Sequence, residues 1–506
     1  MSNAIPEPQA RLESGIAGLD TVFEGGWPAG GSYLVQGDPG AGKTTVALHF
    51  LMQGAAGGER CAFVSLSESE AELRQNARTH GWTLDGIEIV DLSGMQSASS
   101  PAAEYSVFSG DEVELNEVME RIRGAVERIH PERLVLDPII GIRLLSGNAT
   151  RYRQQVLGLK DFLREHEVTA LILSDAANDE MHTYLETAVH GVLSMRQETG
   201  EYGDNQRFLR VQKLRGGSYQ AGDHPFRIET GGITVFPRLS GIPPLDAAHD
   251  ELLTSGVEGL DRLLGGGILR GSATVVSGQS GVGKTTIALQ FLVQAARRGE
   301  IARVFSLDES AASMLHRGNA LGMRVSEVVR EGRLRVERLR STETYPAEFA
   351  RIVQRAIDDD GVRVVLIDSL TGYRAGVTGE AQLVHHLSQL LDYLSHKGIT
   401  TFLTLASSDL TSLAVTDPFG VSYLSDNAIL LRFFEAGGRV RRAINILKKR
   451  TGPHESTIRE FQLGAGGIQI GAPLAEFRGV LSGTPEYVGE HRSLLAPEEK
   501  HNESMS

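Results

Sequence analysis

The 506-residue chain is 41% apolar and 23% charged, too long for a single hydrophobic core and ordinary for a globular protein of about two to four domains. Its net charge of −14 argues against nucleic acid as a partner, because such proteins gather basic excess on at least one face. The single cysteine, Cys61, excludes an intrachain disulfide, and no stretch reads as a signal peptide or a membrane span, so a buried thiol and a cytoplasmic location are expected.

Met1 to Ala10 reads as a disordered tail. Next comes Ser14-Gly15-Ile16-Ala17-Gly18-Leu19-Asp20, with Gly25-Gly26 after it. An apolar run, Tyr33–Gln36, then leads into Gly37-Asp38-Pro39-Gly40-Ala41-Gly42-Lys43-Thr44 and a helical pattern over Thr45–Met52. Strand, glycine loop with Gly-Lys-Thr, and helix form the context of a phosphate-binding loop. The glycines let successive N–H groups converge on phosphate oxygens, and the helix N-terminus faces the same anion. Lys43 would reach the β- and γ-phosphates of ATP, and Thr44 would give its hydroxyl to Mg²⁺, with Thr45 completing the nucleotide-binding set. Pro39 lacks an N–H and removes one phosphate donor.

Strands are expected at Cys61–Leu66, Ile87–Leu92, Arg133–Asp137 and Thr169–Asp175, and helices at Glu70–His80, Glu112–Ile129 and Arg151–Glu165. Such alternation argues for a mostly parallel sheet covered by helices. Gly191–Arg196 and Gln206–Leu214 read as antiparallel additions. The proline-bearing stretch Pro237–Pro244 reads as a linker.

The pattern then starts again. Ser255-Gly256-Val257-Glu258-Gly259-Leu260-Asp261, followed by Gly265-Gly266-Gly267, lies 241 residues after its first occurrence, and Lys284 lies 241 residues after Lys43. This is a duplicated domain rather than a solenoid of small units. The second loop is Gly278-Gln279-Ser280-Gly281-Val282-Gly283-Lys284-Thr285, with Ala273–Val276 before it and Thr286–Val293 after it. Strands are expected at Arg303–Asp308, Arg333–Leu339, Val362–Asp368 and Thr400–Leu405, then Ala428–Phe434 and Arg439–Lys448. Helices are expected at Ala312–Leu321, Pro346–Asp358 and Ala381–Lys397. The resulting domains are 11–236 and 251–484, joined by 237–250, with a polar flexible tail over 485–506.

Nucleotide hydrolysis needs more than a phosphate loop. Asp137 and Asp368 end buried apolar strands and are candidate Mg²⁺ carboxylates, with a helix cap as the structural alternative. Glu68 and Glu309 follow the earlier strands Cys61–Leu66 and Arg303–Asp308. They read either as groups orienting an attacking water or as acids in the first turn of the following helix. Lys213-Leu214-Arg215 and Lys448-Lys449-Arg450 occupy equivalent strand ends. They read either as a solvated sheet edge or as cations reaching a neighbouring subunit's γ-phosphate.

Over nearly its full length the chain resembles the KaiC family of duplicated RecA-like ATPases. The resemblance rests on Ser14–Asp20, both loops, Asn76–Trp82, Gln212–Gly216, Phe305–Ser310, Ile367–Leu370, Arg442–Asn445 and Ile458–Phe461. It implies an α/β fold of two tandem RecA-like P-loop NTPase domains, each a mostly parallel sheet flanked by helices. It further implies a homohexamer of two stacked rings with ATP between neighbours, slow hydrolysis in the first ring, and serine/threonine autokinase activity in the second. The family's paired catalytic glutamates fall on Ser67/Glu68 and Asp308/Glu309. Its trans cations fall on Lys213/Arg215 and Lys448/Arg450, and the histidine near the second-ring nucleotide falls on His454. Ser67 cannot act as a carboxylate base, which leaves Glu68, and Asp308 is one methylene shorter than glutamate. The adjacent Ser and Thr phosphoacceptors fall on Ser422 and Tyr423, making Ser422 the candidate acceptor.

The resemblance therefore implies a clock-type signalling ATPase and autokinase, with a KaiB-like protein, response regulators or histidine kinases as candidate partners. Two other readings compete. One is a RecA-like DNA-dependent recombination ATPase, which the acidic charge disfavours. The other is a nucleotide-gated interaction platform with little turnover, which the altered acidic pairs favour.

Overall fold

A computed structural model of the chain describes residues 10–94, 110–146, 148–176, 179–199, 205–239, 251–340, 344–374, 380–406, 424–436, 438–480 and 486–488. The chain divides into two compact units, Met1–Ser240 and Gly241–Ser506. Each holds one nine-stranded sheet.

The strands of the first sheet alternate two apolar sets. Tyr33, Val35, Phe63, Val135 and Leu171 face one core, while Leu34, Val64, Leu136 and Ile172 face the other. Both faces must therefore be covered by helices, as in a parallel sheet buried on two sides. Across the sheet the order is Ile87–Asp91, Cys61–Ser65, Arg133–Asp137, Thr169–Asp175, Ser32–Gly37, Gly191–Thr199, Asn205–Leu214, His224–Glu229 and Gly232–Val235. The first six are parallel and the last three are antiparallel additions.

The second sheet repeats this topology. Its order is Leu334–Arg338, Ile301–Ser306, Val362–Asp368, Thr400–Ala406, Ala273–Gly278, Asn427–Ala436, Arg439–Lys449, Arg459–Gly464 and Gly467–Pro473. In each unit the loop strand lies at the centre, with parallel neighbours on both sides. Two tandem α/β domains of the RecA type are thus the observed fold.

Four sequence expectations change. Gly191–Thr199, expected as an antiparallel addition, pairs in parallel with Ser32–Gly37, as Asn427–Ala436 does with Ala273–Gly278. The strands carrying Lys213 and Lys448 do not lie at sheet edges. Asn205–Leu214 is flanked by Gly191–Thr199 and His224–Glu229, and Arg439–Lys449 by Asn427–Ala436 and Arg459–Gly464. The closing hairpins, His224–Val235 and Arg459–Pro473, add two strands to each sheet. Pro225 argues against a strand in sequence, yet the strand accommodates it opposite Phe208. The strand expected over Arg303–Asp308 stops at Ser306, which leaves Asp308 in the turn beyond it.

Short helices at Ile140–Ser146, Glu180–Ala188, Val325–Arg330 and Leu370–Arg374 also escape the periodicity of the sequence. Within the expected tail, Glu486 and Tyr487 pair with Arg478 and Phe477. Among the described residues no helix is long and apolar enough to cross a membrane. Cys61 is buried, and burial pushes its thiol up to about 12.

Candidate nucleotide sites

Each loop closes on backbone that only glycine adopts without strain. Gly40 and Gly42 have φ of 79° and 101°, and Gly281 and Gly283 have 77° and 117°. The leading glycines are needed for a different reason. A Cβ on Gly37 would lie 2.2 Å from the Met195 carbonyl oxygen, and one on Gly278 2.3 Å from that of Leu431. The loop therefore presses against the neighbouring parallel strand. Helices Lys43–Ala56 and Lys284–Arg297 begin directly after Gly42 and Gly283. Their free N-terminal N–H groups face the loop. Gln36, one residue ahead of Gly37, donates to Glu186 at 2.7 Å and hydrogen-bonds His182 at 2.8 Å, tying the loop strand to helix Glu180–Ala188.

In both units the loop threonine meets the strand-end aspartate. Thr44 Oγ1 donates to Asp137 Oδ2 at 3.2 Å, and Thr285 Oγ1 donates to Asp368 Oδ1 at 3.1 Å. Thr404 adds a second hydroxyl to Asp368. Burial raises the Asp137 carboxyl to about 6, opposed by the Thr44 hydrogen bond, with the Glu68 charge pushing further upward. Asp368 is raised for the same first reason. Thr45 and Thr286 follow on the helices, Thr286 being buried.

The lysines differ. Lys43 Nζ donates to the Gly37 and Asp38 carbonyls at 2.8 and 3.0 Å and to Asp175 Oδ1 at 2.8 Å. Lys284 Nζ donates to the Gln279 carbonyl at 2.9 Å, and burial lowers its pKa against the pull of Asp368 and Asp308.

Glu68 and Glu309 do not lie in the first turn of the following helix. Each immediately precedes the N-cap serine, Ser69 or Ser310, so the helix-dipole reading fails for both. Each is held by the same turn: its N–H donates at 3.1 Å to Ser65 Oγ or Ser306 Oγ, and that hydroxyl donates back to its carbonyl. Their carboxylates meet different partners. Glu68 accepts from Asn76 Nδ2 at 3.2 Å. Glu309 accepts from Ser313 Oγ at 2.6 Å and Arg317 Nη1 at 2.7 Å. Asp308 accepts a hydrogen bond from Ser369, the residue after Asp368.

The strand-end cations serve a local role that the sequence does not disclose. Lys213 Nζ donates to the Glu186, Thr187 and Val189 carbonyls at 2.9, 3.0 and 2.7 Å, and Arg215 Nη2 to Thr187 at 3.3 Å. They close the C-terminal turn of helix Glu180–Ala188, where cations meet the dipole favourably. Burial and then Arg215 lower the Lys213 pKa. Leu214 is buried in the core between them. Lys448 donates to the Ser425 carbonyl at 2.5 Å, and Arg450 Nη1 lies 3.8 Å from Asp426 Oδ1. His454 is half-buried, in the stretch after the Arg439–Lys449 strand and beside the Gly265 turn. Ser422 and Tyr423 lie outside the described residues.

An ammonium, convergent glycine N–H groups, a hydroxyl and one carboxylate are the donor set that suits a nucleoside triphosphate with Mg²⁺, which keeps waters and phosphate oxygens as its remaining ligands. Among the described residues no three His, Cys, Asp or Glu side chains cluster to hold a metal, and a site shared with phosphate needs no such cluster. Sequence reasoning missed Asp175, Thr404, Ser369 and Arg317. Of these, only Asp175 carries a signal, as an acid ending an apolar strand in the manner of Asp137.

Fold and loops together define a tandem phosphate-loop NTPase. The description of KaiC-type ATPases matches residues 12–240 and 253–475, so the chain belongs to the KaiC ATPase family. It is similar to the circadian clock protein KaiC3 of Synechocystis sp., 31% identical over 486 residues and 95% of each chain. It is also similar to the circadian clock oscillator protein KaiC of Parasynechococcus marenigrum, at 29% over 96% of this chain and 95% of the relative. The KaiC of Synechococcus elongatus is 28% identical, over 96% and 93%.

Proposed function

We propose that the chain binds ATP with Mg²⁺ at both loops, hydrolyses it, and at the second site transfers phosphate to its own Ser422. The observation that carries this reading is the doubled contact of loop threonine with strand-end aspartate, at 3.2 and 3.1 Å. Gly37, Gly40, Gly42, Lys43, Thr44 and Thr45 hold one nucleotide, and Gly278, Gly281, Gly283, Lys284, Thr285 and Thr286 the other. Thr44 with Asp137, and Thr285 with Asp368, hold the metal, which when bound neutralises charge developing on the phosphates.

At the first site Glu68 orients water for attack on the γ-phosphorus and takes its proton. At the second site Asp308 takes the proton of the acceptor hydroxyl, while Ser369 and the Glu309–Arg317 pair fix its surroundings. Lys213 and Arg215, like Lys448, Arg450 and His454, lie in the nucleotide-binding set through a neighbouring subunit of a homohexamer. The relatives are circadian clock proteins, which supports a signalling role with a KaiB-like or two-component partner. The carboxylates at both positions of the second pair, Asp308 and Glu309, favour the autokinase reading over hydrolysis alone.

The test is incubation with γ-labelled ATP and Mg²⁺, following free phosphate and protein-bound label together. Label at Ser422 that disappears in Lys284→Ala supports the kinase. Phosphate release without label leaves an ATPase. The absence of both, with nucleotide still bound, selects the nucleotide-gated platform.

A further inference from the structure

The two loops are alike in backbone and unlike at one strand end. Asp175 ends Thr169–Asp175 in register with Gly37, whereas Ala406 ends Thr400–Ala406 in register with Gly278. The Asp175 carboxylate accepts from Lys43 Nζ at 2.8 Å, with the lysine side chain 12% exposed and the aspartate 51%. The carbonyls of Gly37 and Asp38 take the remaining two ammonium donors. An ammonium has three donors, so the protein itself exhausts the hydrogen-bonding capacity of Lys43. Lys284, with an alanine where Lys43 has Asp175, donates to the Gln279 carbonyl.

We propose that Asp175 sets the nucleotide affinity of the first site, competing with the entering phosphates for Lys43. This rests on the ATP-binding reading above. A loop lysine reaches the β- and γ-phosphates, so a polyphosphate must take Lys43 from Asp175 before it is held. The carboxylate then remains beside the added negative charge. Its half-exposed position lets it turn to water, which keeps the site usable but weakens it. The cost rises with phosphate charge, so Asp175 penalises ATP more than ADP and narrows the site's preference between them. The second site, free of this competitor, fills at lower ATP concentration.

The full-length chain tests this in two backgrounds that isolate one loop each, using a non-hydrolysable ATP analogue and ADP, both with Mg²⁺. In Lys284→Ala, adding Asp175→Asn should tighten analogue binding about five- to tenfold and ADP binding less, with the gain shrinking at high salt. In Lys43→Ala, adding Ala406→Asp should weaken the second site by a similar factor. Unchanged or weaker analogue binding in the Asp175→Asn protein overturns the proposal, as does an Ala406→Asp protein that binds like its parent. A Lys284→Ala parent that binds no nucleotide instead overturns the reading of ATP binding at the first loop, on which the proposal rests.

Discussion

The two nucleotide sites share one backbone and distribute their charge differently. In the first, Lys43 is paired with Asp175, and the Glu68 carboxylate accepts from the neutral amide of Asn76 at 3.2 Å. In the second, Lys284 rests on a loop carbonyl, while Glu309 is fixed by Arg317 and Ser313. Arg317 stands 241 residues after Asn76 and Asp308 the same distance after Ser67, so duplication preserved the positions while the charges moved. A carboxylate bound to a neutral amide is freer to engage water than one fixed by a guanidinium. This supports the proposal of Glu68 as the base of the first site, and of Asp308, rather than Glu309, as that of the second.

The largest expected effects break one site and leave the other. Lys43→Ala and Lys284→Ala should each remove nucleotide binding at one loop, by about 10²-fold or more, so titration of the single variants should count one site where the wild type counts two. Within the Lys284→Ala background, Glu68→Gln should slow phosphate release by about 10²-fold; within Lys43→Ala, Glu309→Gln should slow it far less than Asp308→Asn. Equal losses for Glu309 and Asp308 would erase the proposed division of roles.

Stability separates the units as well. His49, on the helix after the first loop, packs edge-on against Trp82 at 4.6 Å and accepts the Ile233 N–H at 3.0 Å. Burial holds its pKa down at about 4. Its folded-state pKa lies below the unfolded value, so its contribution is complete above about pH 6.5 and is lost as pH falls through about 4, amounting to roughly 3 kcal/mol. The equivalent residue of the second unit is Gln290, which does not titrate and donates to the Ser255 carbonyl at 2.8 Å. His49→Gln should therefore flatten the acid limb of a stability curve, read by denaturant melts between pH 7 and 4.

Smaller effects follow from local packing. Gly37→Ala would place a methyl 2.2 Å from the Met195 carbonyl oxygen, costing about 1–3 kcal/mol by thermal melting. Ser69 and Glu72 form a reciprocal capping box, whereas Ser310 caps its helix alone because Ser313 stands where Glu72 does. Ser69→Ala should cost about 1 kcal/mol and Ser310→Ala somewhat less.

The loops, the duplication and the central strands were legible because each is written in contiguous residues: a glycine pattern, a repeat at constant offset, a run of apolar side chains. Asp137 and Asp368 were legible for the same reason. Lys213 and Arg215 were not. Their sequence says only that two cations end a strand, and the acceptors that occupy them belong to a helix some 25 residues earlier, Glu186 to Val189. The position of Glu68 and Glu309 relative to the following helix was not legible either, because it is set by the N-caps one residue later, at Ser69 and Ser310.

The sequence by itself determined the class of site, because a phosphate loop depends on local backbone freedom and on a lysine and threonine at set positions along one turn of chain. Tertiary structure alone decided which loop lysine meets a strand-end carboxylate. Asp175 and Lys43 are 132 residues apart, and only the pairing of parallel strands, which sets Gly37 opposite Asp175 and Gly278 opposite Ala406, brings a carboxylate to one ammonium and withholds it from the other.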